Sequence, residues 1–355
     1  MFPFRKKSVP ILGIDVSEAA VKLLELSRRG SSYQVESYAV VQLAPNSVSE
    51  KTINDIDAVG ETIADVVAKS GTKIKDAAIC VAGSSVITKV INMPAGLSDD
   101  DMESQIQIEA EQHIPFPLDQ VAIDFEVQNN PEEDGGDVSV LLAAARSEIV
   151  DNCIAALELG GLNAKVVDIE AFTIENTMKW ISQNFPAGVS TDAIGVADIG
   201  SRSMTFSVLE DLKVVYSRDE AFGGAQLTEE IQRRYDMSFE EAAIAKKSGS
   251  SSLPDDYETE VLEPFKESLI SEISRALQFF YSSSQTTEID ILVLAGGCAS
   301  IPRIADLIEP RLEIKTIIAN PFSKMNISPK VNKKTLANDA PALMIACGLA
   351  MRGDV

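Results

Sequence analysis

Histidine is almost missing from this chain: His113 is the single one in 355 residues. Ser/His/Asp and Cys/His nucleophilic systems, and His-rich zinc sites, could be built only around that position. It falls in Glu111-Gln112-His113-Ile114-Pro115 at the end of an expected helix, where a helix-terminal or packing role is the simpler reading. Cysteine is also scarce. Cys80, Cys153, Cys298 and Cys347 lie far apart with no C-x-x-C pair, which excludes a disulfide framework or zinc ribbon and leaves four thiols suited to a reducing compartment. No stretch of about 18 apolar residues runs without interruption, so no transmembrane helix is expected. The charged start, Met1-Phe-Pro-Phe-Arg-Lys-Lys7, leads into an apolar run that Asp15 breaks, too short for a signal sequence. Basic residues are outnumbered, 31 against 54 acidic, for a net charge of −23. Such a chain repels phosphate backbones, which disfavours nucleic acid as a partner. The 56 residues from Val90 to Ala145 contain no Lys or Arg and 13 acidic side chains.

What is present is apolar pattern. Hydrophobic residues make up 45% of the chain, enough to fill two cores of ~150 residues each. Ile11 to Leu26 reads as two strands around a turn at Val16-Ser17-Glu18, with a third strand from Tyr33 to Leu43. Ala193 to Leu209 repeats the pattern at an offset of 183 residues: Asp15 falls on Asp198, Ser17 on Gly200, Val21 on Met204 and Leu26 on Leu209. An internal duplication constrains architecture before any motif is considered. Helices are expected at Asp57–Lys69, Ser147–Leu159, Leu227–Tyr235, Phe239–Lys247, Tyr257–Tyr281 and Ala337–Arg352. Strands at Ala77–Val81, Lys165–Ile169, Ile289–Leu294 and Lys315–Ile318 alternate with them, implying two α/β lobes around a cleft.

The basic-free segment reads as a small module. Ser98 followed by Asp99, Asp100 and Asp101 is a strong helix start. Met102, Ile106, Ala110 and Ile114 recur at near-helical spacing until Pro115 and Pro117 stop the run. Strands Ala122–Gln128 and Val138–Ala144 follow, around the acidic turn Pro131–Asp137. Its charge reads either as a solvated face or as a surface that attracts a basic partner.

Three turns could carry chemistry. Asp15 and Asp198, at equivalent strand ends, suit a divalent cation bridging phosphates, because Mg²⁺ needs only one or two nearby carboxylates. Small residues after each Asp let backbone amides approach phosphate oxygens. Either turn alone is ordinary; their repetition favours the cation. In Ile291-Leu-Val-Leu-Ala-Gly-Gly-Cys-Ala-Ser-Ile-Pro302, Gly296 and Gly297 offer bare backbone to a flat base or ribose, or make only a tight strand-to-helix turn.

Together, GIDVSEAAVK, VADIGSRSMT and VLAGGCASIP resemble the phosphate 1, phosphate 2 and adenosine motifs of the actin, Hsp70 and sugar kinase superfamily across the whole chain. GIDVS followed by VKLLELS, IPFPLDQVAIDFEV at Ile114–Val127, VVDIEAFTIEN and DIGSRSMTFSVL most resemble the actin-like PilM family of type IV pilus assembly, related to FtsA. The resemblance implies a duplicated, ribonuclease H-like α/β fold. Residues 1–190 would form a first lobe with an FtsA-like insertion at about 86–146. Residues 191–340 would form a second lobe with a subdomain at about 226–288, and residues 341–355 would return to the first as a helix. It implies ATP and Mg²⁺ held by Asp15, Ser17, Lys22, Asp198, Gly200, Ser201, Gly223, Gly224, Lys246, Gly296 and Gly297, with the metal at Asp15 and Asp198. Glu170, in Val167-Asp-Ile-Glu-Ala-Phe172, stands where the family orients an attacking water.

Departures from the family pattern lie at Ser17, Glu18 and Ala19 in the first turn and at Ala243, where a ribose-binding carboxylate is usual. Weak ATPase activity at most is the expectation. The implied role is cytoplasmic: capture of the N-terminal cytoplasmic peptide of PilN at the inner face of the inner membrane, alongside other pilus inner-membrane complex proteins and motor components, in support of pilus assembly and twitching motility. Self-association remains open, and direct membrane insertion is not expected. Two other readings stand beside it. A small-molecule kinase of the same superfamily needs an acceptor-specific motif, which the chain does not show; an FtsA-like filament-forming membrane adaptor usually ends in an amphipathic anchor.

Overall fold

The computed structural model describes residues 9–128, 137–186, 188–248, 252–284 and 288–354. Two sheets with the same internal plan dominate it. In the first, the strands run in the order Asn163–Ile169, Asp76–Val81, Leu12–Val16, Ala20–Arg29, Ser32–Gln42 and the short Asn326–Ile327. In the second the order is Lys315–Ile318, Ile291–Ala295, Ala193–Ile199, Met204–Glu210, Lys213–Glu220. Each leading strand has a parallel neighbour on one side and an antiparallel hairpin partner on the other. The repeat read from the sequence holds to the residue: Asp15 lies opposite Lys22 in one hairpin, and Asp198 opposite Thr205, 183 positions on, in the other. This duplicated α/β arrangement is the actin-like fold that the three motifs implied.

The burial pattern explains why these segments form strands rather than amphipathic helices. Ala193–Ile199 and Ile291–Ala295 are buried almost throughout, as expected of central strands covered on both faces. Two helices join the sheets. Ile174 and Met178, on helix Glu170–Ile181, share one apolar cluster with Ile194, Val196, Ile291 and Val293 of the second sheet and with Leu349 near the chain's end. Helix Met344–Ala350 is wholly buried.

Two expected helices differ in the structure. Ala337–Arg352 is not continuous: helix Lys333–Asp339 passes through a 3₁₀ turn at Ala340–Leu343 into helix Met344–Ala350 and a last 3₁₀ turn at Met351–Asp354. The Pro341 carbonyl leaves the helical ladder to accept the Gly296 N–H at 2.8 Å, and proline has no N–H of its own to offer. Tyr257–Tyr281 opens instead with a π turn at Glu258–Leu262 before helix Glu263–Ser283. Pro264 cannot donate to the Glu260 carbonyl, so the wider turn precedes it.

The basic-free segment, with residues 86–89 before it and Arg146 after it, has its own sheet, ordered Val86–Pro94, Asp137–Arg146, Val121–Val127. Helix Asp99–His113 lies over it, capped by the Ser98 hydroxyl, which accepts the Asp101 N–H. Met102, Ile106, Ala110 and Ile114 pack on Ile91, Met93, Val138, Val140 and Leu142. Residues 131–136 of the acidic turn lie outside the described residues. His113 ends the helix, its Nδ1 3.1 Å from Lys89 Nζ. Among the described residues, no helix is long and apolar enough to cross a membrane. The four cysteines are free thiols.

Candidate functional site

The two leading strands end at carboxylates that face a common cleft. Asp15 is 7% exposed and accepts a hydrogen bond from Lys22 Nζ at 2.7 Å. Burial works to lower the Lys22 pKa, but Asp15, and then Asp198, outweigh it and hold the ammonium above its ordinary value. Among the described residues Asp198 has no comparable partner. Burial, opposed by Lys22 and reinforced by Glu170 and Asp15, pushes its carboxyl up to about 6. A carboxyl in that position gains from an added cation.

Sequence reading missed the residue that ties this cluster together. Lys51 sits at the tip of a hairpin made by Val48–Ser49 and Thr52–Ile53. Its Nζ donates to both Glu170 carboxylate oxygens at 2.8 and 2.9 Å, to Thr205 Oγ1 at 2.6 Å and to Asp219 Oδ1 at 3.0 Å. Two of those acceptors belong to the second sheet. Burial alone would lower the Lys51 pKa, yet Glu170 and Asp219 raise it, so the ammonium is fully protonated. Glu50 and Lys51 both adopt left-handed backbone, at φ 49° and 60°, as a two-residue hairpin turn requires. The usual Asn-Gly or Asp-Gly signal is absent, so the turn was invisible in the sequence. Glu18, the unexpected carboxylate of the first turn, accepts the Glu50 N–H through Oε1 at 2.9 Å and leaves Oε2 buried without a partner.

The small residues gather on the other side of Asp198. Gly296 has φ 82°, and a Cβ there would lie 2.5 Å from Asp198 Oδ1 and 2.3 Å from the Ile199 carbonyl. Only glycine lets these two turns touch. Gly297 differs: a Cβ would meet nothing within 4 Å. Gly200 accepts the Gly224 N–H at 3.0 Å, and Ser201 accepts the Ala225 N–H at 2.7 Å. Gly223 therefore lies hard against Ser201, its missing Cβ 2.3 Å from that carbonyl, and helix Gly224–Tyr235 begins three residues before the expected start at Leu227. Lys246 Nζ donates to the Gly224 carbonyl at 2.8 Å and Thr228 Oγ1 at 2.7 Å; burial lowers its pKa. Cys298 adds a contact from its thiol to the Gly200 carbonyl at 3.6 Å, and burial pushes that thiol up to about 11.

Ten of the twelve sequence-derived residues fall into two linked groups. Asp15, Lys22, Asp198 and Glu170 form an electrostatic cluster, while Gly200, Ser201, Gly223, Gly224, Lys246 and Gly296 form a backbone scaffold beside it. Gly297 adjoins the scaffold. Ser17 stands apart in orientation, because its hydroxyl donates to the Ala20 carbonyl of its own turn at 2.9 Å.

Comparison with known proteins bears on the family and the fold. The family described as Type IV pilus assembly protein PilM matches residues 13–354. A solved "PilM-PilN type IV pilus biogenesis complex" is similar at 26% identity and TM-score 0.77, covering 98% of this chain and 99% of that one. More distant, at 14% identity and TM-score 0.55, is the ethanolamine utilization protein EutJ from Carboxydothermus hydrogenoformans, covering 98% of this chain and 93% of that one. A diol dehydratase-reactivating factor is similar at 10% identity and TM-score 0.54, covering 97% of this chain and 99% of that one. These last two share the fold alone. With a duplicated actin-like fold, paired strand-end aspartates and a family match running nearly from end to end, the chain belongs to the PilM family of type IV pilus assembly proteins.

Proposed function

We propose that this protein is a nucleotide-braced docking platform of the pilus machinery: it holds Mg-ATP between its two halves and binds the N-terminal cytoplasmic peptide of a PilN protein at the inner face of the membrane. The full-length likeness to the chain in the PilM-PilN complex carries the partner assignment. The nucleotide assignment rests on the carboxyl of Asp198, pushed up to about 6 with Asp15 and Glu170 nearby. That donor set fits a divalent cation with phosphate attached, since a hard cation would relieve the crowded carboxylates. Asp15 and Asp198 would hold the cation through its waters, Lys22 would face the phosphates, and the amides near Gly200 and Gly224 would approach phosphate oxygens. The cleft at Gly296 and Gly297 would take the nucleoside. Mg²⁺ would supply charge neutralisation at the phosphates.

ATP acts here as a ligand that favours the closed arrangement through its differential affinity for it. Turnover is weak, and Glu170 is the residue to orient water. Glu170→Gln is expected to lower any steady-state ATP hydrolysis at least about tenfold, the scale of one lost general-base contact, with the Kd for Mg-ATP nearly unchanged. Equal rates in both proteins would remove Glu170 from that role.

The platform itself is tested by titrating a labelled PilN N-terminal peptide by fluorescence anisotropy, with and without Mg-ATP. The expected result is saturable binding, tighter with Mg-ATP. A folded protein that shows no binding in either condition overturns the assignment. The acidic segment from Val90 to Ala145 favours a basic peptide, so affinity should fall as salt rises.

A further inference from the structure

The duplication leaves one asymmetry unexplained by nucleotide or peptide binding. In the first half the residue opposite the strand-end aspartate is Lys22, a cation paired with Asp15. In the second half the equivalent residue is Thr205, opposite Asp198, so that strand places no positive charge opposite its aspartate. Lys51 reaches the gap from the first half. Its ammonium touches Thr205, and Thr205 Oγ1 in turn donates to Asp219 Oδ1 at 2.8 Å. Asp219 belongs to strand Lys213–Glu220 of the second sheet, whereas Glu170 starts a helix that follows directly from a strand of the first. One ammonium therefore spans carboxylates from both halves.

The contact is sheltered, with side-chain exposures of 20% for Lys51, 14% for Glu170 and 31% for Asp219. Charge-assisted hydrogen bonds in such surroundings are among the stronger polar contacts. The hairpin presenting Lys51 accepts two consecutive left-handed non-glycine residues to do so, a conformation disfavoured by sterics. It is also moored: Asn54 and Asp55 N–H groups both donate to the Ser47 carbonyl at 2.9 and 3.1 Å, and Glu50 N–H to Glu18.

We propose that Lys51 is a latch that holds the two halves together, supplying from the first half the cation that the second half's hairpin does not place opposite its aspartate. The latch stands whether or not ATP is the ligand. Without it, the carboxylates of Glu170 and Asp219 face each other uncompensated and the two halves part at this edge, while helices Glu170–Ile181 and Met344–Ala350 still join them.

The test uses the full-length protein without nucleotide, comparing wild type with Lys51→Met, which keeps the aliphatic stem, and Asp219→Asn, which removes the charge on the far side. Small-angle scattering is expected to show a larger radius of gyration in both variants. Hydrogen exchange is expected to quicken about tenfold or more in the hairpin 48–53 and in strands Met204–Glu210 and Lys213–Glu220, the scale of one lost charged hydrogen bond. Unchanged scattering in Asp219→Asn, with a native thermal melt, overturns the latch. So does faster exchange confined to the hairpin with unchanged scattering, which marks a local structural role only. Should Lys51→Met fail to fold, Asp219→Asn decides alone. Failure of Mg-ATP to bind, with opening still seen in the variants, counts against the nucleotide reading and not against the latch.

Discussion

Asp198→Asn is expected to raise the thermal midpoint at neutral pH while abolishing Mg-ATP binding. The carboxyl titrates near 6 in the folded protein against an ordinary value of 3.8. Below about pH 4 it is neutral whether the chain is folded or not, and contributes no difference. As pH rises through about 6 the folded state loses the neutral form it favours, so stability falls across that window. The whole penalty is about 3 kcal/mol at most, reduced by water at the cleft-facing edge of the side chain. Asparagine keeps the shape and carries no charge. The variant should therefore melt higher than wild type at pH 7 and equally near pH 4, followed by circular dichroism at both. A pH-independent difference, or a less stable variant at pH 7, contradicts this electrostatic picture. The gain in stability would accompany a loss of function, because the charge that costs stability is the one proposed to face the metal.

Gly348→Ala should have the largest effect on folding. A Cβ at Gly348 would lie 2.0 Å from the Thr173 carbonyl oxygen, and one at Gly13 would lie 2.1 Å from that of Ala346. Helix Met344–Ala350 is thus pressed by bare backbone against helix Glu170–Ile181 on one side and strand Leu12–Val16 on the other. Neither obstructing atom is the movable end of a side chain, so the backbones must part. Overpacking of this sort costs about 1–3 kcal/mol and sometimes more, and the upper end applies here. The same displacement would disturb Asp15 and Glu170, which lie two residues from Gly13 and three residues from Thr173 on the contacting strand and helix. Urea unfolding should show a lower midpoint with an unchanged slope, and nucleotide affinity should fall with it. Gly30→Ala is the control for glycine loss without crowding, since a Cβ there meets nothing within 4 Å, although its φ of 70° adds modest strain.

Legibility in the sequence followed the range of the interactions. The hairpins at Asp15 and Asp198 were readable because period and turn residues are local, and the offset of 183 carried through to paired registers. Ser98 was readable as a cap for the same reason. Helix Glu170–Ile181 was not identified as a helix, and the strand ahead of helix Asp99–His113, at Val86–Pro94, could be given no bounds. The first lacks a capping side chain; the second has few buried positions, at Ile91 and Met93. The break at Pro341 depends on a carbonyl captured by Gly296, some 45 residues earlier in the chain. Lys51 was missed for a similar reason: its partners Glu170, Thr205 and Asp219 are 119, 154 and 168 residues away, and its turn carries no glycine or asparagine. Lys246, which the resemblance implies as a nucleotide contact, has its ammonium bonded to the Gly224 carbonyl and Thr228 Oγ1 at the helix start.

The central claim is that the cleft between the two sheets binds a magnesium nucleotide through the paired aspartates. Isothermal calorimetry of the purified full-length protein with Mg-ATP, beside the folded Asp198→Asn variant, tests it most directly. The account predicts one saturable site in wild type, heat that disappears when EDTA removes the magnesium, and none in the variant. No heat from wild type, or equal binding by both proteins, would contradict it.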